Sequence, residues 1–245
     1  MTKQWYYQWF NSPYYHVLYK NRNSAEAENL INNIYAYLKP QRNAHVLDVG
    51  CGRGRHALCL AEKGLLVTGI DLAVENISYA RQFESAQLRF FVHDMRSLYY
   101  ENYFDIALNL FTSFGYFDTW QEDLNVLSGL HRALKPGGML VIDFFNADNI
   151  LQHITPAGTR MVDGIEFRLT RHVNDKNIVK TIDFEDEGRS YYFTETVKTF
   201  TLDDFKALFK ATGFELVQVF GNYNLDAFDA ASSDRLIMLC SKTHV

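Results

Sequence analysis

"VLDVGCGRGRHALCLAEKG", residues 46–64, decides how the rest of the chain reads. An apolar run suited to a short buried strand meets Gly50, Gly52 and Gly54, and helix-forming sequence follows at once. An acid, Asp48, stands just before the first glycine. Glycine has no Cβ, so a ligand can approach its backbone, and it accepts positive φ. The first amides of the following helix then face that ligand. Two chemistries use such a turn: dinucleotides gripped by their pyrophosphate, and nucleosides without phosphate. The dinucleotide pattern Gly-x-Gly-x-x-Gly/Ala would put its third small residue on Arg55, so it fails here.

Outward from this stretch, strand and helix patterns alternate for about 120 residues, the mark of a mostly parallel α/β sheet. Strands are expected at 44–50, 65–71, 88–94, 104–111 and 139–146. Helices are expected at 24–38, 55–64, 73–83 and 122–138, the last ended by Pro136, Gly137 and Gly138. The run 104–111 is continuously apolar and so reads as buried on both faces. From 159 to 200 the text becomes strand-like, with turn signals at Asp163-Gly164, at 174–177 and at 185–189. This predicts an antiparallel meander of about four strands, read as an insertion. A helix at 201–213, with Thr201 as candidate cap, and strands at 214–220 and 235–242 resume the sheet.

Composition narrows the function classes. The chain has 245 residues, 47% of them hydrophobic, enough for a substantial core. Its formal charge of -5 and the lack of a Lys/Arg tract argue against nucleic acid as the main partner. Three cysteines without a CxxC pair read as buried or incidental thiols, so no metal site is expected. The first fifteen residues lack the apolar core of a signal peptide, and no apolar stretch is long enough to span a bilayer. A cytoplasmic protein with no membrane partner is expected, as monomer or homodimer.

"LDVGCGRGRHALCLA" resembles motif I of the class I S-adenosylmethionine-dependent methyltransferases: an acid, one residue, then G-x-G-x-G. Asp48, Gly50, Gly52 and Gly54 match it, and other family elements follow in order. Asp71, ending "VTGID", matches the acid that binds the ribose hydroxyls; Asp94 and Met95 match the pair that recognises adenine. "FDIALNLF" matches the fourth strand, whose end faces the cofactor, and "LKPGGMLVIDFFN" the turn and strand after it. The match is close over 44–146 and looser over 200–243. It implies a doubly wound, mostly parallel seven-stranded sheet of Rossmann-like methyltransferase type with an inserted antiparallel β meander. It also implies S-adenosylmethionine as cofactor, S-adenosylhomocysteine as product, and Asp48, Gly50, Cys51, Gly52, Asp71, Leu72, Asp94, Met95 and Leu110 as cofactor contacts. Asp48 also suits a helix cap, and Leu72 and Met95 suit the core. Arg55 and His56, in the first helical turn, suit either the cofactor carboxylate or solvated surface.

"NLFTSFGYF", together with Y-x-x-L-Y-x-x-R at Tyr15 to Arg22, is similar to a bacterial subgroup of small-molecule methyltransferases, with amino-sugar N-methyltransferases among its relatives. That resemblance implies a helical lid over 1–40, with Tyr15 and Arg22 at the cofactor. On this reading 1–245 is a single methyltransferase domain, and the insertion at 147–200 covers the substrate. The expected partner is a small-molecule methyl acceptor, methylated on N or O. Methylation of tRNA or protein, and cofactor binding without catalysis, are the alternatives. Methyl transfer from a sulfonium is an in-line displacement that mainly needs positioning and dryness, so no catalytic residue follows from the motif. Tyr116 and Tyr223 are the candidates for polar contact with substrate.

Overall fold

The computed structural model describes residues 5–20 and 24–243. Helices α1 (Trp5–Phe10), α2 (Pro13–Leu18) and α3 (Ser24–Leu38) precede β1 (His45–Val49). Then come α4 (Arg55–Glu62), β2 (Leu66–Asp71), α5 (Val74–Ala80), β3 (Leu88–Val92), β4 (Phe104–Asn109), α6 (Trp120–Ala133) and β5 (Leu134–Phe145). A short helix, α7 (Ala147–His153), leads into β6 (Ala157–Val162), β7 (Ile165–Asn174), β8 (Asn177–Asp186) and β9 (Arg189–Lys198). The chain returns through α8 (Leu202–Thr212), β10 (Phe214–Phe220) and β11 (Arg235–Lys242).

The main sheet has seven strands in the order β10-β11-β5-β4-β1-β2-β3. Strands β1 to β5 pair in parallel, while β11 runs antiparallel to both β5 and β10. Both faces of the sheet are covered, which explains its apolar runs. Along β1, Leu47 and Val49 join α6 and α8 in one core, and Val46 joins α3, α4 and α5 in the other. Strands β5 and β11 divide their side chains between the two cores in the same way. The connections run one way from β1 to β2 and β3, and the other way to β4 and β5. The crevice at that reversal, outside the carboxyl ends of β1 and β4, is where such sheets hold ligands.

Local chemistry sets the helix ends. Thr201 caps α8 in a reciprocal box with Asp204, as its position in the sequence predicts, and Thr119 does the same for α6 with Glu122. One boundary differs from expectation. Helix α6 stops at Ala133 rather than at the Pro-Gly-Gly run, and β5 already begins at Leu134. A residue before proline is pushed out of the α region, so Lys135 cannot extend the helix. A shift in register between Phe104 and Ile106 then brings the two strands back into step. Helix α7 also departs from the expected all-β insertion. Its seven residues are too few to display a helical period, and Asn146 before it is tied by its side-chain amide to the carbonyls of Ala230 and Ser233.

The meander forms a separate four-stranded sheet, β6-β7-β8-β9. Its tight turns place Asp163, Asp175 and Glu187 at left-handed φ of 51°, 52° and 48°. Alternation along β7 and β8 puts Phe167, Leu169, Ile182 and Phe184 on one face. Helices α1 and α2 cover that face and bury Trp9 and Leu18 in it. This third core is distinct from the two that sandwich the parallel sheet.

Candidate active site

The expected contacts that fall within the described residues line one cleft of about 1150 Å³. Asp48, Gly50, Cys51, Gly52, Asp71, Leu72, Asp94, Met95, Leu110, Tyr15, Tyr116 and Tyr223 all border it. Arg22 lies outside the described residues. The cleft opens where β1, β2 and β4 end, and it continues under α1, α2 and β9, whose Tyr6, Phe10, Tyr19 and Glu195 also border it.

The glycine turn is shaped by its neighbours. Gly50 has φ 72°, and a Cβ there would stand 2.7 Å from the Cβ of Ser113, so the turn packs directly on the loop after β4. Gly52 has φ 56°, and a Cβ there would meet nothing within 4 Å. Its amide donates to Asp71 Oδ2 at 2.8 Å, while Asp71 Oδ1 accepts from the Ala73 amide at 2.7 Å. Burial raises the Asp71 pKa, and the Ala73, Gly52 and Asn76 hydrogen bonds hold it back. Asp71 thus ties the glycine turn to the start of α5 and keeps oxygen lone pairs on the cleft side.

Asp48 is buried, and its Oδ2 has no hydrogen-bond partner. Burial first, and the Asp71 charge second, push its pKa up to about 7, against Arg55 and a hydrogen bond from the Ala57 amide. The N-cap of α4 is Gly54, with no side-chain cap, and Asp48 borders the cleft. The folded carboxyl holds its proton more tightly than the unfolded one, whose pKa is near 3.8. Its contribution to stability is therefore full below about pH 4 and is lost as pH rises through 7. Asp48→Asn removes this titration. The variant's stability relative to wild type is expected to rise from about pH 4 to pH 8 in urea unfolding. A difference constant across that range would show that Asp48 is ionised throughout.

At the far end of the cleft, burial works to raise the Asp94 pKa, but hydrogen bonds and charge from Arg96 outweigh it and hold the group below its ordinary value. Arg96 Nη2 donates to Asp94 Oδ2 at 2.6 Å, and its Nη1 reaches Glu122 at 2.6 Å. Met95 follows Asp94 in a short 3-10 turn. Leu72 and Met95 are partly buried, pack on the core that contains Tyr6 and also border the cleft. His56 is buried rather than solvated; burial drives its pKa down to about 3, so the ring is neutral. The Arg55 guanidinium lies 4.0 Å from the centre of the Phe111 ring.

The loop after β4 is strained. Phe111 and Thr112, neither a glycine, have φ of 57° and 61°. Such conformations cost roughly 1–2 kcal/mol each. Asp143, at the end of β5, holds them in place. Its Oδ2 accepts the Phe111 amide at 2.8 Å, and its carbonyl accepts the Thr112 amide at 2.9 Å. Arg235 donates to Asp143 Oδ1 from Nε at 2.8 Å and from Nη2 at 2.7 Å. Tyr223 donates its hydroxyl to Asp143 Oδ2 at 3.2 Å, and the Tyr116 hydroxyl donates to the Thr112 carbonyl. Both tyrosines picked from the sequence thus border the cleft, the Tyr116 hydroxyl bonded to this loop and the Tyr223 hydroxyl to the acid that holds it. Burial, then the Asp143 charge, raises the Tyr223 pKa, which removes it as a base near neutral pH. An acid inside the apolar run "VIDFF" was the available sign of Asp143; nothing local announced Asn76, His16 or Glu195.

The residues fit a nucleoside bearing an amino acid. Asp71 and Asp94 line the same cleft, a Cβ at Gly52 would meet nothing within 4 Å, and the unpartnered Asp48 oxygen suits an ammonium group. Among the described residues no group of three or more His, Cys, Asp or Glu side chains stands close enough to hold a metal, and no helix is long and apolar enough to cross a membrane.

Comparison with known proteins agrees with this geometry. Residues 46–138 match the model of a methyltransferase domain. The chain is 29% identical over 209 residues to the putative methyltransferase YqeM of Bacillus subtilis, covering 81% of this chain and 84% of that one. A S-adenosylmethionine-dependent methyltransferase from Clostridium acetobutylicum superposes with TM-score 0.80 at 17% identity, covering 94% of this chain and 96% of that one. CalS10, an amino pentose methyltransferase from Micromonospora echinaspora solved with S-adenosylmethionine bound, gives TM-score 0.71 at 22% identity over 95% and 98% of the two chains.

Proposed function

We propose that the chain is a class I S-adenosylmethionine-dependent methyltransferase that methylates a nitrogen or oxygen of a small-molecule acceptor, a reading that the methyltransferase-domain match over 46–138 supports. The size and cover of the cleft carry this reading. At about 1150 Å³ it exceeds the roughly 300–1000 Å³ of a site for one drug-sized ligand, so a second molecule fits beside the cofactor. The second half lies beneath α1, α2 and β9 and is walled by Phe10, Tyr15, Tyr19, Tyr116 and Val197. A roofed aromatic pocket suits a small acceptor better than an RNA or protein surface, and the likeness to an amino pentose methyltransferase points the same way.

When bound, the cofactor supplies an electrophilic methyl group on a sulfonium. Asp71 and Asp94 would hold its ribose and adenine, and Asp48 would pair with its ammonium group. The loop at 110–116, which borders the same cleft, would set the approach of the acceptor. The aromatic side chains of α1 and α2 keep water out and give a positive charge a modest cation-π contact. No side chain is assigned as a base, because an acceptor that arrives unprotonated needs only alignment.

The test is incubation of the protein with methyl-labelled S-adenosylmethionine and a metabolite extract, followed by mass spectrometry. A labelled small molecule is the expected product. Label in RNA or protein instead would replace the small-molecule reading, and cofactor uptake without product would replace catalysis with binding.

A further inference from the structure

Helix α2 touches both halves of the cleft. On the cofactor side, His16 Nε2 donates to Asn76 Oδ1 at 2.7 Å. Asn76 is 3% exposed and lies in the first turn of α5, just past the Asp71 carboxylate that fixes the start of that helix through Ala73. His16, Asn76 and Asp71 all border the cleft, so this bond ties α2 to the end of α5 that Asp71 holds. A second tie lies beside the first: the Glu75 amide donates to Asn11 Oδ1, between α1 and α2, at 3.3 Å.

On the acceptor side the same helices are fastened to the antiparallel sheet. Trp9 Nε1 and the Tyr19 hydroxyl each donate to Glu195 at 2.6 Å, and Lys180 pairs with Glu195 at 3.2 Å. Tyr14 donates to Asp186 at 2.7 Å, and Lys20 pairs with Asp163 at 2.6 Å. These bonds surround the third core, so α1, α2 and the sheet form one packed body.

We propose that His16 and Asn76 are positioning residues: through them an occupied ribose site seats α2, and with it the antiparallel sheet, over the acceptor pocket. The inference rests on the methyltransferase reading and extends it. It makes binding ordered, with the cofactor completing the roof before the acceptor is held.

Hydrogen–deuterium exchange of the full chain, with and without saturating S-adenosylhomocysteine, tests this without knowledge of the acceptor. In wild type the ligand should slow exchange at 5–18 and in β9 as well as at the glycine turn. His16→Phe keeps a ring but cannot donate. It should bind S-adenosylhomocysteine about three- to tenfold more weakly. At saturation it should keep the slowing at the glycine turn and lose it at 5–18 and β9. His16→Gln, whose amide can donate, should restore both. Wild-type slowing of α2 and β9 in His16→Phe would overturn the bridge alone. Failure of wild type to take up the ligand would overturn the methyltransferase reading and the bridge with it.

Discussion

Asp71→Ala is expected to weaken binding of S-adenosylhomocysteine by about 2–4 kcal/mol, roughly 30- to 800-fold, in titration calorimetry. Two charge-assisted ribose hydrogen bonds account for most of this. The loss of the Gly52 and Ala73 hydrogen bonds adds to it, because the glycine turn and the start of α5 are then no longer tied together. Asp71→Asn keeps the volume and one acceptor oxygen, so its loss should be smaller. If affinity is unchanged in Asp71→Ala, this carboxylate does not hold the ribose.

Asp143→Ala should cost about 3–5 kcal/mol of stability in urea unfolding. Asp143 is fully buried, and the Arg235 side chain opposite it is only 19% exposed. Removing the acid strands that guanidinium and leaves the Phe111 amide without its acceptor. A double variant, Asp143→Leu with Arg235→Met, should recover much of the loss, since a buried ion pair replaced by apolar groups of similar volume is often neutral. Both variants should lose affinity for S-adenosylhomocysteine. With nothing to accept the Phe111 amide, the left-handed pair at 111 and 112 relaxes, and Ser113 no longer sits against Gly50. A single variant as stable as wild type would show that Arg235 finds water or another acid.

The elements legible in the sequence were those whose cause is local. The glycine turn, Asp71 at the end of its strand and the Thr201 cap each depend on residues within about 25 positions of one another, and each stands where its neighbours put it. The boundary of α6 was misplaced because the helical period outruns the break; Pro136 acts on the residue before it, and Leu134 turns to pair with Phe104. The clasp between Trp9 and Glu195 joins residues 186 positions apart, and the pair of Asp143 and Arg235 spans 92. Neither spacing has a local signature. The strands of the meander were legible from their alternation, but not which helices would cover their apolar face.

The third core sets a rule for exchanging segments of this chain with those of a relative. Its apolar contacts are divided between 5–20 and 157–198, segments far apart in the chain yet adjacent in space. A chimaera that imports only the hairpins from a relative would strip Trp9 and Leu18 of their packing and expose the foreign strands to water. Exchanging both segments together keeps that seam intact, so the two are inherited as a matched pair rather than as either part alone.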